Sequence, residues 1–147
     1  MIHVLLDLDE AVAKWVAERL EIEDFGYCRT MALVADDGEM LGGVIFNNWR
    51  HTNIEMTIAT VSPRWCKRSV LATIFSYPFF QLKCKRVTAI TEVMNQPVRA
   101  FLCRLGFREE GTLRKWFLDG ADGVIYGMLA EECRWITVEE PMRSVAA

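Results

Sequence analysis

The chain has 147 residues, of which 52% are hydrophobic and 25% are charged, and its formal net charge is −3. This length and apolar content predict a single domain (1–147) with one full core, and they exclude an intrinsically disordered chain. The slightly acidic balance excludes a protein that binds nucleic acid through general positive charge.

Cysteine usage and hydropathy narrow the class further. The five cysteines are widely spaced, form no C-x-x-C motif and have only two histidines for company, which predicts free thiols and no metal site. The longest apolar run, 69–82, is interrupted by polar residues and Pro78 and is too short to span a bilayer. The first residues are acidic and do not predict a signal peptide. We therefore expect a cytoplasmic protein without membrane or nucleic-acid partners.

The first half of the chain contains four segments typical of strands and one with a helical pattern. Strands are predicted at 2–6, 28–35, 40–47 and 54–61, and a helix at 9–20. Asp7 or Asp9 is expected to cap that helix. The Asp36-Asp37-Gly38 sequence between the second and third strands predicts a hairpin.

The fourth strand, 54–61, has two chemically different faces. Ile54, Met56 and Ile58 alternate with Glu55, Thr57 and Ala59. Ser62-Pro63 should end the strand, because proline cannot donate to a ladder.

The second half predicts two helices, each followed by strand. Helix 66–82 should be kinked or shortened by Pro78, and helix 95–105 should be followed by strands 107–117 and 123–131, with strand 86–93 between the helices. The tail after Trp135 carries Glu139, Glu140 and Pro141 and is expected to be irregular. The order β-α-β-β-β-α-β-α-β-β predicts an α/β (α+β) fold whose mixed sheet has helices on both faces.

Residues 95–107 are the most informative stretch. Asn95 or Gln96 can cap a helix, and Gly106 suits its left-handed C-terminal cap. The apolar stripe of this helix is formed by Val98, Phe101, Leu102 and Leu105.

This segment resembles the N-x-x-S-x-x-x-x-x-x-x-G-F segment of the GNAT acetyltransferase superfamily, most like the branch that acetylates ribosomal-protein N-termini. The resemblance covers roughly residues 28–132, and it implies a mostly antiparallel central sheet. It also implies an acetyl-CoA-dependent N-acetyltransferase in which an amine attacks directly in a ternary complex. The implied acceptor is a peptide N-terminus, a lysine or a small amine. The resemblance also implies a homodimer.

Acetyl transfer needs a base, a donor for the developing oxyanion and a cradle for phosphate. The resemblance implies that Glu55 is the base, although a charge on a solvated sheet face explains it equally well. The Val61 amide, beside the cofactor, is the implied oxyanion donor. In the family a tyrosine serves as the general acid, and Leu102 occupies that position here. Tyr126 is the nearby residue that could replace it as general acid, although packing is its favoured role.

The resemblance places the coenzyme A diphosphate on the loop that precedes helix 66–82, where the family carries Q/R-x-x-G-x-G/A. The matching residues here are Cys66, Lys67, Arg68, Ser69, Val70 and Leu71. Ser69 and Leu71 replace the small residues, and Leu71 is expected to crowd the phosphate. Residue types alone favour an ordinary solvated helix turn, because exposed basic residues are common, and it is the resemblance that favours a phosphate site.

Asn95 and Arg104 complete the implied cofactor contacts. A helix cap explains Asn95 as well, and a C-terminal helix cation explains Arg104. The family serine after Asn95 is Val98 here. These departures support a second hypothesis, in which a GNAT-like fold has lost turnover and serves as a binding or assembly module.

Overall fold

The computed structural model of the protein describes residues 1–137, and within them it contains seven strands and three α-helices in the predicted order. The strands are β1 (Ile2–Leu5), β2 (Cys28–Ala35), β3 (Met40–Asn47), β4 (Asn53–Thr60), β5 (Arg86–Glu92), β6 (Arg108–Leu113) and β7 (Gly123–Leu129). The helices are α1 (Asp9–Leu20), α2 (Arg68–Ser76) and α3 (Gln96–Leu105). The predicted irregular stretch with Glu139, Glu140 and Pro141 lies outside the described residues. In the described part, no helix combines the length and the hydropathy needed to cross a bilayer.

All seven strands belong to one mixed sheet with the order β1-β2-β3-β4-β5-β7-β6. Neighbouring strands are antiparallel, except that β4 and β5 run parallel. The crossover between these two parallel strands is α2, as a parallel pair requires. The expected mixed, mostly antiparallel sheet is confirmed.

The two faces of the sheet carry different helices. Val12 and Val16 of α1 pack on Ile45 and Ala59 in a small cluster on one face. On the opposite face, α2 and α3 contribute to the main core, whose fully buried side chains include Ile74 and Phe75. Full burial of one such side chain contributes about 1.5–3 kcal/mol relative to exposure. The prediction of helices on both faces is confirmed.

The predicted aspartate cap of α1 is wrong. The N-cap residue is Leu8, and it makes no side-chain hydrogen bond to the helix. Asp9 instead accepts hydrogen bonds from the Thr30 backbone N–H (2.8 Å) and hydroxyl (2.9 Å) on β2. The Asp9 carboxylate therefore makes a tertiary contact with β2 and does not cap the helix.

Two further boundaries follow from local chemistry. Pro78 ends the regular part of its helix, because α2 stops at Ser76 and a π-helical turn follows over Tyr77–Gln81. The predicted strand 107–117 is shorter than expected, since β6 ends at Leu113. Trp116 and Phe117 therefore lie in the loop between β6 and β7, where they are free to line a cleft.

The close approach of α1 to β3 gives a stability prediction. A Cβ at Gly43 would lie 2.7 Å from Val16 Cγ2 and 3.0 Å from Val12 Cγ1, and β-branched side chains cannot swing away. Gly43→Ala should therefore lower the free energy of unfolding by about 1–3 kcal/mol, measured by urea denaturation. Gly111→Ala is the matched control, because its nearest neighbour would be Ile125 Cγ2 at 3.8 Å. Equal losses in the two variants would contradict this account.

Candidate active site

The parallel strands β4 and β5 pair only at one end. Their ladder runs from Asn53 opposite Arg86 to Glu55 opposite Thr88, and the remaining residues of both strands lie outside it. Strands stay about 4.8 Å apart only where their backbones pair. The two strands therefore separate beyond Glu55 and leave a cleft between them.

A polar network holds the closed end of this cleft. The Arg86 guanidinium donates to Thr88 Oγ1 (3.1 Å) and to Glu110 Oε1 (2.7 Å), while the Thr88 hydroxyl donates to Asn53 Oδ1 (2.6 Å). Gly127 lies directly beneath it, because a Cβ there would be 2.6 Å from Arg86 Nη2 and would displace the guanidinium. Sequence reasoning missed this network, since its members come from three strands.

The open end is a cleft of about 470 Å³. Its lining includes three carboxylates, Glu21, Glu55 and Glu92, and the aromatic side chains of Trp116 and Phe117. Arg19 also lines it, but its guanidinium donates to the Trp15 carbonyl (3.0 Å) and lies 3.6 Å from the Trp15 ring centroid. The cleft therefore favours a positively charged guest.

Glu55 stands at the point where β4 and β5 part. Its carboxylate accepts a hydrogen bond from Asn48 Nδ2 at 2.6 Å. Asn48 has φ +54, a left-handed conformation that asparagine adopts more readily than most residues. Asn48 is a positioning residue that sequence reasoning missed, although the Asn47-Asn48 pair in a polar loop was a visible signal.

The Val61 amide does not face the cleft. Its N–H donates to the Leu41 carbonyl at 2.8 Å, although the side chain is 55% exposed. The β3–β4 register is unbroken from Gly42 opposite Thr60 to Asn47 opposite Glu55. Amides alternate in direction along an antiparallel strand. The N–H groups of Ile58 and Thr60 therefore point toward the gap. The prediction that the Val61 N–H is the oxyanion donor is wrong, because this N–H is already bonded to β3.

The first turn of α2 can hold an anion. Its first amides have no partner within the helix, and its N-cap, Lys67, makes no side-chain hydrogen bond to it. The turn contains no acidic residue. Cys66, Lys67, Arg68 and Ser69 are exposed, so this stretch presents amides and positive charge to solvent as the sequence predicted.

Leu71 does not crowd this turn, contrary to the expectation. Its side chain is 3% exposed and lies in the main core, as does the side chain of Val70. The Leu71 N–H donates to the Lys67 carbonyl at 3.0 Å, so neither its amide nor its side chain is available to a ligand. The helical period directs both branched side chains inward and leaves the outer side of the turn open.

Arg104 lies beside this turn. The ring centroids of Trp65 and Phe101 are 6.0 Å apart in an edge-to-face contact, which joins α3 to the segment before α2. Burial raises the pKa of the Cys66 thiol, and the charges of Arg104 and Lys67 act in the opposite direction. The fold thus brings these two cations together at Cys66.

Asn95 caps α3, as one of its two interpretations predicted, and it also lines the cleft. Its Oδ1 accepts from the Val98 N–H at 3.3 Å, and it lies on the same cleft wall as Glu92. The cap fixes the side chain at the open end of β5.

Tyr126 has the packing role that the sequence favoured. Its side chain is 1% exposed, and its hydroxyl accepts a hydrogen bond from Arg99 Nε at 3.0 Å. This bond and the Glu109 carboxylate raise the pKa of Arg99 above its usual value. The assignment of Tyr126 as a general acid is therefore wrong, because its hydroxyl is held in the core away from solvent.

Comparison with known proteins places this architecture among the acetyltransferases. The spermidine/spermine N-acetyltransferase SpeG from Vibrio cholerae, solved in mutant forms, superposes with a TM-score of 0.67 at 14% identity, covering 89% of this chain and 96% of that one. The acetyltransferase (GNAT family) from Bacillus anthracis gives a TM-score of 0.57 at 20% identity, covering 70% and 67%.

A crystal structure named "Probable acetyltransferase" is 25% identical over 73% of this chain, with a TM-score of 0.62, and the chain spans 63% of its length. No family model and no curated protein matches the sequence. The chain therefore has the GNAT acetyltransferase fold, and its structural neighbours are acetyltransferases.

Leu71 provides a test of how the first turn of α2 is built. Leu71→Ala should lower the free energy of unfolding by about 2–5 kcal/mol, because it opens a cavity in the core. It should leave coenzyme A affinity unchanged in calorimetry at a temperature where the variant is folded. Tighter binding in this variant would show that the side chain does crowd the ligand.

Proposed function

We propose that the protein is an acetyl-CoA-dependent N-acetyltransferase that acts on a cationic amine. The observation that carries this is the separation of β4 and β5 beyond Glu55, with an acidic cleft at their open end. The neighbours named as spermidine N-acetyltransferases support transfer to an amine. A peptide N-terminus, as in the ribosomal-protein branch, a lysine and a small amine all remain acceptors of this class.

The residues at the first turn of α2 fit the diphosphate of coenzyme A. Lys67 and Arg104 supply charge, and the unpaired amides of Arg68 and Ser69 supply donors. Lys67 and Ser69 also line a hollow with Asp36, Asp37 and Arg64, in which Asp36 is paired with the N-terminal ammonium at 3.0 Å. The charges of Lys67 and Arg104 both act on the Cys66 thiol, so the Cys66 side of the turn is the side proposed for the diphosphate.

The gap between β4 and β5 fits the arm that leads to the acetyl group. Acetyl-CoA, when bound, supplies the acetyl group as an activated thioester. The N–H groups of Ile58 and Thr60 are the donors that this chain offers to an acyl oxygen. A fixed amide of this kind stabilises developing negative charge without reorganisation.

Glu55 is placed to accept the proton of the amine. It lies at the start of the gap, and Asn48 holds one carboxylate oxygen and leaves the other free to accept a proton directly or through water. Glu21 and Glu92 then attract the cationic acceptor to the same cleft. The alternative is a binding module without turnover, which the missing glycines of the loop favour.

The test is thiol release from acetyl-CoA across a panel of peptides, lysine derivatives and small amines. Glu55→Gln should lower kcat/KM by about 10²–10⁴-fold because it removes the base while keeping the bond from Asn48. Glu131→Gln is the matched control, since Glu131 is exposed and lies outside the cleft. Wild-type protein that binds no acetyl-CoA and releases no thiol would instead support the binding module.

Tyr126→Phe separates a catalytic hydroxyl from a structural one. Loss of the bond from Arg99 should lower the free energy of unfolding by about 1 kcal/mol in urea denaturation. Thiol release by the folded variant should stay within about twofold of wild type, since a buried side chain does not contact substrate. A loss of turnover without a loss of stability would restore the general-acid assignment.

A further inference from the structure

A group of cationic side chains and one tryptophan ring lies beside the proposed diphosphate site, and these side chains have no role in the function described above. Arg68, the first residue of α2, donates to the Arg134 carbonyl at 3.0 Å. The guanidinium carbons of Arg68 and Arg134 lie 5.5 Å and 4.5 Å from the centroid of the Trp135 ring. The segment after β7 therefore returns to the first turn of α2.

Trp135 is a fixed platform for these two guanidinium groups. Its Nε1–H donates to the Leu105 carbonyl at 2.8 Å and so caps the end of α3. The ring is only partly exposed, and Cys133 and Ile136 on either side are buried in the core. Cation–π contact with this ring orients both guanidinium groups at the surface.

In the part of the chain that the structure describes, no carboxylate is paired with this patch. Among residues 1–137, neither Arg68 nor Arg134 forms an ion pair, and the nearby Glu132 is paired with Arg108 at 3.1 Å. Arg68 uses one N–H on Arg134, and a guanidinium carries five. Two arginines with free donors, held side by side by an aromatic ring, form a binding group for phosphate.

We propose that Arg134, with Arg68, binds the 3′-phosphate on the ribose of coenzyme A. This inference rests on the proposed function, which places the diphosphate at the first turn of α2. Arg134 is one side-chain length from that turn, and in coenzyme A only the ribose separates the diphosphate from the 3′-phosphate. The patch thereby distinguishes coenzyme A from its precursor that lacks this phosphate.

The test compares the affinities of coenzyme A and dephospho-coenzyme A by calorimetry. Wild-type protein should bind coenzyme A about tenfold or more tightly than dephospho-coenzyme A, because a charge-assisted hydrogen bond is lost in the latter. Arg134→Ala should reduce this ratio about tenfold and leave dephospho-coenzyme A affinity unchanged. The variant keeps the backbone carbonyl that accepts from Arg68, so the segment should stay in place.

Arg50→Ala is the matched control, because Arg50 is also exposed and lies in the loop before β4. Adenosine 3′,5′-bisphosphate and adenosine 5′-monophosphate serve as probes of the nucleotide end alone, and their affinities should differ in wild type and converge in Arg134→Ala. Arg134→Gln repeats the measurement if the alanine variant melts at a lower temperature.

The outcomes separate the two proposals. If coenzyme A binds and the ratio is the same in wild type and Arg134→Ala, the phosphate assignment is wrong while the acetyltransferase proposal stands. If the wild type binds neither coenzyme A nor dephospho-coenzyme A, both are wrong. A decrease of equal size for both cofactors in Arg134→Ala would also overturn it, because the arginine would then act on a shared part of the molecule.

Discussion

The site depends on how little of β4 pairs with β5. Within residues 1–137 this is the parallel contact of the sheet, and it covers only the first part of each strand. The network of Arg86, Thr88 and Asn53 holds that part together. Beyond it, each strand keeps its other neighbour, β3 or β7, so both stay ordered while they separate. The gap has rigid walls because β4 remains paired with β3, and β5 remains paired with β7, on the sides that face away from the gap.

Positively and negatively charged side chains lie at different places around the sheet. The first turn of α2 gathers Lys67, Arg68 and the nearby Arg104, and its unpaired amides add to their field. The cleft at the open end is lined instead by Glu21, Glu55 and Glu92. Under the proposed function, an anionic cofactor and a cationic acceptor would be attracted to different places. The gap between β4 and β5 would then join them, so that only their reacting ends meet.

Near the candidate site, the local structure followed the prediction where it depends on one element only. Asn95 caps α3 and reaches the cleft, because cap geometry is local. The expectation that Leu71 crowds the phosphate was wrong, because the helical period directs its side chain into the core. Asn48 and the Arg86 network were missed. Each depends on two or more segments that are distant in the chain, and no spacing in the sequence records such a meeting.

The sequence by itself determined the elements and their faces. Period-two alternation in β4 separates Met56 from Glu55, and the proline and glycine residues mark where helices stop, because these effects act over a few residues. Only the tertiary structure decided which amides face the gap. That direction depends on the register between β3 and β4, which turns the Val61 N–H toward Leu41 and the Ile58 N–H away. Register is fixed by packing of whole strands, and a shift of one residue would reverse it.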